Sequence, residues 1–383
     1  MDTKRSNRSD IYDKIIDILK KEPLSISEIS KQTDLNWETT KRNLEILKQV
    51  GVVGEEEIKN KRVFFIKDIT ILEGNQDTLL RLPLKEEQRE ATKSLFKKIK
   101  DIWNKNDDER INKTFLQKIA VKIIKDTGIK DIPYGWYLFG MMSVLQCDPS
   151  QEIEVKKDVL GNSYNNKISE IVIYYQKNFK NTNDLMIHQY LEEGNDLYLT
   201  KLKLQNDLLN HIEKEDLYNI HKRLTDFIFN FKKTEENKEI IDLVEFFVSI
   251  VGRLINKVGI NEIENIRPNI LGAFESLWKC IATYNLYDSL VKNGFYKKEE
   301  LYKYYLLKVI PLIDVCKECL SFLNDFLPKE SLDKNSKLYK LMGSAKELSP
   351  EEKKKREKEL EKIREEKGEK GLQEFLLKEF GLD

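Results

Sequence analysis

Apolar residues recur at the spacing of an α-helix over most of this 383-residue chain. In residues 86–106, for example, Ala91, Leu95 and Ile99 fall on one face of a helix. Because such a face has to be buried against other elements, the pattern predicts a large all-helical body over residues 84–343, built as one or two bundles. The same spacing predicts further helices near residues 110–126, 165–178, 183–193, 197–213, 215–232, 237–256, 267–293 and 298–326.

Charge balance and cysteine content limit the class of protein. Lysine plus arginine and aspartate plus glutamate each number 66, so charge-driven binding has to come from local patches. Four cysteines are too few for a disulfide framework, which favours a reducing compartment. The longest uncharged run, Ile132–Cys147, has 16 residues, fewer than the roughly 20 that a membrane-spanning helix needs. We therefore expect a cytoplasmic protein with no signal peptide and no membrane partner.

The first fifty residues carry start signals for three helices. Asp10–Lys20 has an isoleucine stripe that predicts the first helix. Ser25 and Glu28 have the spacing of a capping box, in which each side chain bonds the other residue's backbone N–H, and they predict a short second helix. Asn36 is a good N-cap for a third helix over Trp37–Gln49.

Two strand-like runs, Val52–Ile58 and Arg62–Ile66, then predict a β-hairpin. This order of elements, together with the sequence LSISEISKQTDLNWETTKRNLEILKQVGVV, resembles the winged helix-turn-helix domains of archaeal and bacterial transcription regulators. The resemblance implies a DNA-binding domain over residues 1–70, followed by a linker over residues 71–83. It also implies that the third helix enters the major groove of duplex DNA.

The resemblance further implies which side chains contact DNA. Ammonium and guanidinium groups donate hydrogen bonds to phosphate oxygens and to guanine. The candidates are Trp37, Thr39, Lys41 and Arg42 on the third helix, Lys59, Lys61 and Arg62 in the wing, and Arg5 and Arg8 in a basic arm. We expect double-stranded DNA as the partner of a transcription regulator, and a homodimer that sets two recognition helices about 34 Å apart.

The acidic residues of this segment leave a second interpretation open. Residues 1–68 hold 14 basic and 13 acidic side chains, and Glu38 and Glu45 share the third helix with the candidate contacts. Glu55, Glu56 and Glu57 on the first wing strand would also repel phosphates. In this alternative the wing binds protein, and the chain is a non-enzymatic adaptor in a transcription or replication assembly.

Motifs for catalysis are missing from the sequence. It has no glycine-rich phosphate loop, no nucleophile elbow and no zinc-protease helix, and its three histidines are widely spread. We therefore expect no enzyme and no cofactor. Cys316 and Cys319 could share one helix face and hold a metal, although a closed site needs two more ligands, and buried thiols are the alternative. The uncharged run Ile132–Cys147 is interpreted as the wall of an apolar pocket, a dimer interface or a buried helix.

Residues 344–383 form a tail whose character changes along its length. Its first part alternates acidic and basic residues at spacings that pair charges on a solvated helix. Its end carries the apolar residues Leu372, Phe375, Leu376 and Phe380. These predict a small helix that docks into the groove of a protein partner, or one that folds back on its own body or on a second subunit.

Overall fold

The computed structural model describes residues 8–58, 61–68, 77–106, 111–210, 212, 216–257 and 260–327. Over these residues the protein is mainly helical, with twelve α-helices and a small two-stranded antiparallel sheet near the N-terminus. Within them, no helix combines the length and the apolar character that crossing a membrane requires. The predicted tail over residues 344–383 lies outside the described residues.

The N-terminal segment contains the predicted three helices and hairpin. They are α1 (Arg8–Leu19), α2 (Ile26–Thr33), α3 (Trp37–Gln49), β1 (Val53–Ile58) and β2 (Lys61–Ile66). The capping box predicted for Ser25 and Glu28 is formed, and the side chain of Asn36 accepts a hydrogen bond from the N–H of Thr39 at 2.7 Å. These short-range bonds satisfy backbone groups that a helix start leaves unpaired. The starts of α2 and α3 can therefore be predicted from the sequence.

A two-residue bridge ties the hairpin to the helices. The N–H of Leu24 donates to the carbonyl of Phe64 at 3.0 Å, and the N–H of Phe64 donates back at 2.8 Å. Leu24 lies between α1 and α2, so this antiparallel bridge connects the segment between the two helices to strand β2. Beneath it, Ile15, Ile29 and Phe64 are almost completely buried and form a core with the inner face of α3.

Within the described ranges, the chain divides into two compact units, residues 8–193 with 279–312, and residues 194–278 with 313–327. After the N-terminal segment, the first unit holds α4 (Glu86–Asn106), α5 (Lys113–Thr127), β3 (Tyr134–Tyr137), β4 (Gly140–Ser143), α6 (Asn165–Asn178) and α7 (Thr182–Glu192). Its main core joins α4, α5 and α6, with Leu95, Ile119 and Ile168 completely buried.

The second unit has an aromatic core. It contains α8 (Asp196–Leu209), α9 (Asp216–Asn230) and α10 (Lys238–Lys257), and parts of α11 (Ile260–Lys292) and α12 (Lys298–Asn324), which contribute to both units. The rings of Phe247 and Phe274 stack with their centroids 5.6 Å apart, and Tyr198 meets Trp278 edge-on at 4.8 Å. These close ring contacts join the helices of this unit.

Within the run Ile132–Cys147, residues Tyr134–Tyr137 and Gly140–Ser143 form a β-hairpin, so the interpretation of this run as a buried helix is wrong. Its strands β3 and β4 pair antiparallel, with Tyr137 opposite Gly140. Gln117 accepts the N–H of Ser143 at 2.8 Å, and Gln189 accepts the N–H of Met141 at 3.0 Å. Because these buried side-chain amides satisfy the edge of β4, the two strands can pack among the neighbouring helices of this unit.

Candidate nucleic-acid interface

The sequence of α3 gives this helix one buried face and one exposed face. Leu44 and Leu47 have no exposed surface and pack inward. Lys41 and Arg42 are exposed, as is Trp37 in the first turn. Three of the predicted DNA contacts therefore lie in the N-terminal half of one helix. This half also carries the positive end of the helix dipole, which favours anions.

Trp37 and Lys41 form a pair on this surface. Trp37 has 43% of its surface exposed, and the Nζ of Lys41 lies 5.1 Å from the centroid of its ring. The four-residue spacing places the two side chains on the same face of the helix, and the ring's π-electrons attract the ammonium. The pair thus combines a flat aromatic surface with a positive charge.

Thr39 takes part in the start of the helix. Its N–H donates to Asn36, and its carbonyl accepts a hydrogen bond from Asn43 Nδ2 at 2.7 Å. The residue is half-buried. Of the four residues predicted on α3, Thr39 therefore offers the least surface to a ligand.

Glu55 on β1 makes two ion pairs, one to Lys48 on α3 and one to Arg62 on the paired strand β2. Its Oε1 accepts a hydrogen bond from Arg62 Nε at 2.6 Å, and its Oε2 accepts one from Lys48 Nζ. Only 12% of the Glu55 side chain is exposed. The hydrogen bond from Lys48, together with the charges of Lys48 and Arg62, holds the pKa of the Glu55 carboxyl below its ordinary value of 4.5.

The structure describes two of the three residues predicted on the wing. Arg62 is engaged by Glu55 through its Nε, and its side chain is 72% exposed. Lys61 is exposed at the start of β2. Lys59 and Arg5 lie outside the described residues, and Arg8 begins α1 with its side chain undescribed.

The acidic side chains near these positions are exposed too. Glu38 and Glu45 lie on the exposed surface of α3, and Glu56 and Glu57 lie on β1. Glu55 was expected to repel phosphates with them, but its carboxylate is engaged in the two ion pairs with Lys48 and Arg62. Its two partners lie on α3 and on β2, so no local pattern in the sequence indicates this role.

Replacing Glu55 with glutamine should loosen the hairpin at neutral pH but not at low pH. A carboxyl whose pKa is lowered on folding stabilises the fold above its unfolded pKa, and this contribution is lost as the pH falls through the lowered pKa. At pH 7, amide hydrogen exchange in β1 and β2 should be about three- to tenfold faster in E55Q than in the wild type.

This difference should close as the pH falls below 4.5, the ordinary pKa of the carboxyl. Glu56→Gln is the matched control, because it makes the same chemical change at an exposed position of the same strand. Equal exchange in the two variants at pH 7 would contradict the role assigned to Glu55.

The two metal-ligand candidates are packed against other helices. Cys316 is completely buried, and the Sγ of half-buried Cys319 lies 3.7 Å from the Oγ of Ser276. Among the described residues, no three histidine, cysteine, aspartate or glutamate side chains are grouped so as to hold a metal ion. The partner-binding candidates Leu372, Phe375, Leu376 and Phe380 lie outside the described residues.

Comparison with known proteins adds no relative to this description. No protein-family model, curated protein sequence or solved structure matches the chain.

Proposed function

We propose that residues 8–68 form a winged helix-turn-helix that binds duplex DNA, and that the protein is a cytoplasmic transcription regulator. Three features support this proposal: the order of the three helices and the hairpin, the bridge between Leu24 and Phe64, and the ion pair of Glu55 with Lys48, which links the hairpin to α3. Together they connect the hairpin to the three helices.

The exposed N-terminal half of α3 is the observation that carries the proposal. A recognition helix contacts base edges with its first turns, and in this helix those turns expose Trp37, Lys41 and Arg42. The Lys41 ammonium and the Arg42 guanidinium can donate to phosphates or to guanine. The Trp37 ring can lie against a thymine methyl group or a sugar.

A homodimer is part of the same proposal. A single domain of this size contacts one short half-site, whereas two copies related by a two-fold axis contact two half-sites one helical turn apart. The helical units would then hold the two domains at that spacing. A signal that alters the helical units would change DNA affinity by changing the spacing.

Fluorescence of Trp37 tests the proposal in the full-length protein. Trp103 and Trp278 are buried and Trp136 is half-buried, so Trp37 is the most exposed of the four tryptophans. Adding a duplex of random sequence at low salt should change the tryptophan emission, and the change should not exceed the part that Trp37, one of four tryptophans, contributes. Trp37→Phe should remove that change while the binding of a labelled duplex persists.

A duplex that binds without altering the emission of Trp37 would contradict the assignment of α3 as the contacting helix. An emission change that is kept in full in the W37F variant would also contradict this assignment. In either case the DNA would be held by another surface of the protein.

The exposed acidic side chains favour a second candidate, a protein-binding adaptor. Glu38 and Glu45 accompany the basic residues of α3, and Lys48 and Arg62 are already paired with Glu55. A surface of mixed charge around an exposed tryptophan also suits a protein partner. If the chain is an adaptor, the emission of Trp37 will change with a protein partner and stay unchanged with DNA.

A further inference from the structure

The last part of α12, in the second unit, exposes a stripe of apolar side chains. Val315, Phe322 and Phe326 have 42%, 53% and 38% of their surfaces exposed, and half-buried Cys319 lies between them in the sequence. The rings of Phe322 and Phe326 meet edge-on with their centroids 5.2 Å apart. We call these four residues the α12 stripe.

The spacing of the α12 stripe is that of a seam between two helices. Its members follow one another at intervals of four, three and four residues, which keeps Val315, Cys319 and Phe322 on one side of α12, and Phe326 follows in the turn after Asn324. The opposite side is already used, because Leu320 and Leu323 are completely buried. The two exposed phenylalanines, Phe322 and Phe326, are in contact with each other, and such an exposed apolar pair favours a site of interaction over ordinary surface.

The chain itself supplies an occupant of matching pattern. It continues beyond the last described residue, Leu327, as residues 328–383. Residues 371–381 hold Leu372, Phe375, Leu376 and Phe380, whose intervals of three, one and four residues place them on one side of a helix. As a helix this apolar face would be about 12 Å long, against about 16 Å for the α12 stripe, at 1.5 Å per residue.

The intervening chain is long enough for this segment to return to α12. Residues 328–370 would span about 35 Å as a flexible coil. The distance back along α12 from Leu327 to Val315 is only about 18 Å. A tether of this kind gives a local concentration on the order of millimolar, so docking within one chain competes well with a second copy at micromolar concentration.

We propose that residues 371–381 bind the α12 stripe of their own chain as a short helix. The leucines and phenylalanines of the segment cover Phe322 and Phe326, and the charged residues between the two sites form the connecting loop. In the free protein the segment therefore occupies the surface on which another copy or partner could bind. This proposal does not depend on whether α3 binds DNA.

Hydrogen exchange of the full-length protein, measured by mass spectrometry, tests the docking. Peptides from residues 371–381 should exchange at least about tenfold more slowly than an unstructured chain, because the docked form dominates. In the double variant F322D/F326D this protection should be lost. Tyr218→Asp is the control, because Tyr218 is 75% exposed in the same unit but lies on α9, and it should leave the protection intact.

A reciprocal variant guards against misfolding of F322D/F326D. In F375D/F380D the changed residues are in the tail segment, and exchange near the end of α12 should become faster while the far-ultraviolet circular dichroism of the protein stays that of the wild type. Hydrogen exchange and sedimentation, both measured at two protein concentrations, show whether the segment docks on its own chain or on a second copy. For docking on its own chain, the protection of residues 371–381 should not change with concentration.

Several results would overturn the proposal. Residues 371–381 without protection in the wild type would do so, as would protection that persists in F322D/F326D. Protection confined to a concentration-dependent dimer would assign the α12 stripe to a second copy. Residues 338–342, with the sequence LYKLM, are closer to Leu327 along the chain. Protection of these residues in place of 371–381 would mean that a different segment occupies the α12 stripe.

Discussion

Replacing Gly140 with alanine should destabilise the first unit by about 3–5 kcal/mol. Gly140 has a φ of +102°, in the region that L-residues rarely adopt. An added Cβ would also lie 2.5 Å from both the Nζ of Lys118 and the Oε1 of Gln189. The Cε1 of Tyr190 would lie 2.8 Å away, so the substitution combines backbone strain with three collisions, of which those with Lys118 and Gln189 are the closest.

Neither the Lys118 side chain nor the Gln189 side chain can move away freely. The Nζ of Lys118 donates hydrogen bonds to the carbonyls of Phe139 and Met141, and Gln189 accepts the N–H of Met141. The backbone groups of Phe139 and Met141 belong to the hairpin that contains Gly140. Relieving the collision would break hydrogen bonds in a buried site, where each unsatisfied group costs about 1–3 kcal/mol.

Urea unfolding followed by circular dichroism measures this effect. Gly128→Ala is the matched control, because Gly128 also has a positive φ, +70°, but nothing lies within 4 Å of its added Cβ. It should cost only about 1 kcal/mol of backbone strain. Equal shifts in the two variants would mean that the surroundings of Gly140 yield easily.

Lys118 should make the stability of the first unit rise with pH above neutrality. The residue is 2% exposed, and burial lowers the pKa of its amine from 10.5 to about 7. Between these values the unfolded chain holds a proton that the folded chain lacks, so the free energy of unfolding increases with pH. The slope approaches about 1.4 kcal/mol per pH unit, and the contribution is constant below the lower pKa, where both states are protonated.

Lys118→Met removes this slope. Over pH 7 to 9.5 the wild type should gain stability relative to K118M, up to about 3 kcal/mol, in the urea transition that Gly140→Ala shifts. The control is Lys201→Met, which removes another buried lysine of lowered pKa, about 8, from the second unit. K201M should leave the slope of that transition unchanged. Parallel pH profiles for K118M and the wild type would show that the Lys118 amine is solvated.

The N-terminal elements could be predicted because short-range interactions determine them. The capping box at Ser25 and Glu28 joins residues three apart, and Asn36 bonds the N–H of a residue three positions on. A reader of the sequence sees both partners of each bond at once. The contacts of Glu55 were missed because one partner is on α3 and the other is on the paired strand, and the chain shows neither pairing locally.

The β3–β4 hairpin was mispredicted for the same reason. Its apolar and aromatic residues fit a buried helix as well as a strand. What selects the hairpin is the conformation of Gly140 and the hydrogen bond from the Met141 N–H to Gln189, 48 residues away. The start of α11 was also placed too late, at residue 267, because the helix begins at Ile260 and continues through Pro268.

Duplex binding across a series of salt concentrations tests the central claim, that α3 contacts DNA. For the full-length protein, the logarithm of the affinity should fall linearly with the logarithm of the salt concentration, because each contacted phosphate releases counterions. Lys41→Ala/Arg42→Ala should weaken binding and make the slope shallower by about 1.8, or about 0.9 for each lost contact. Lys20→Ala/Lys21→Ala removes the same charge from the end of α1 and should keep the wild-type slope. Absence of binding at low salt, or equal slopes in the two double variants, would contradict the account.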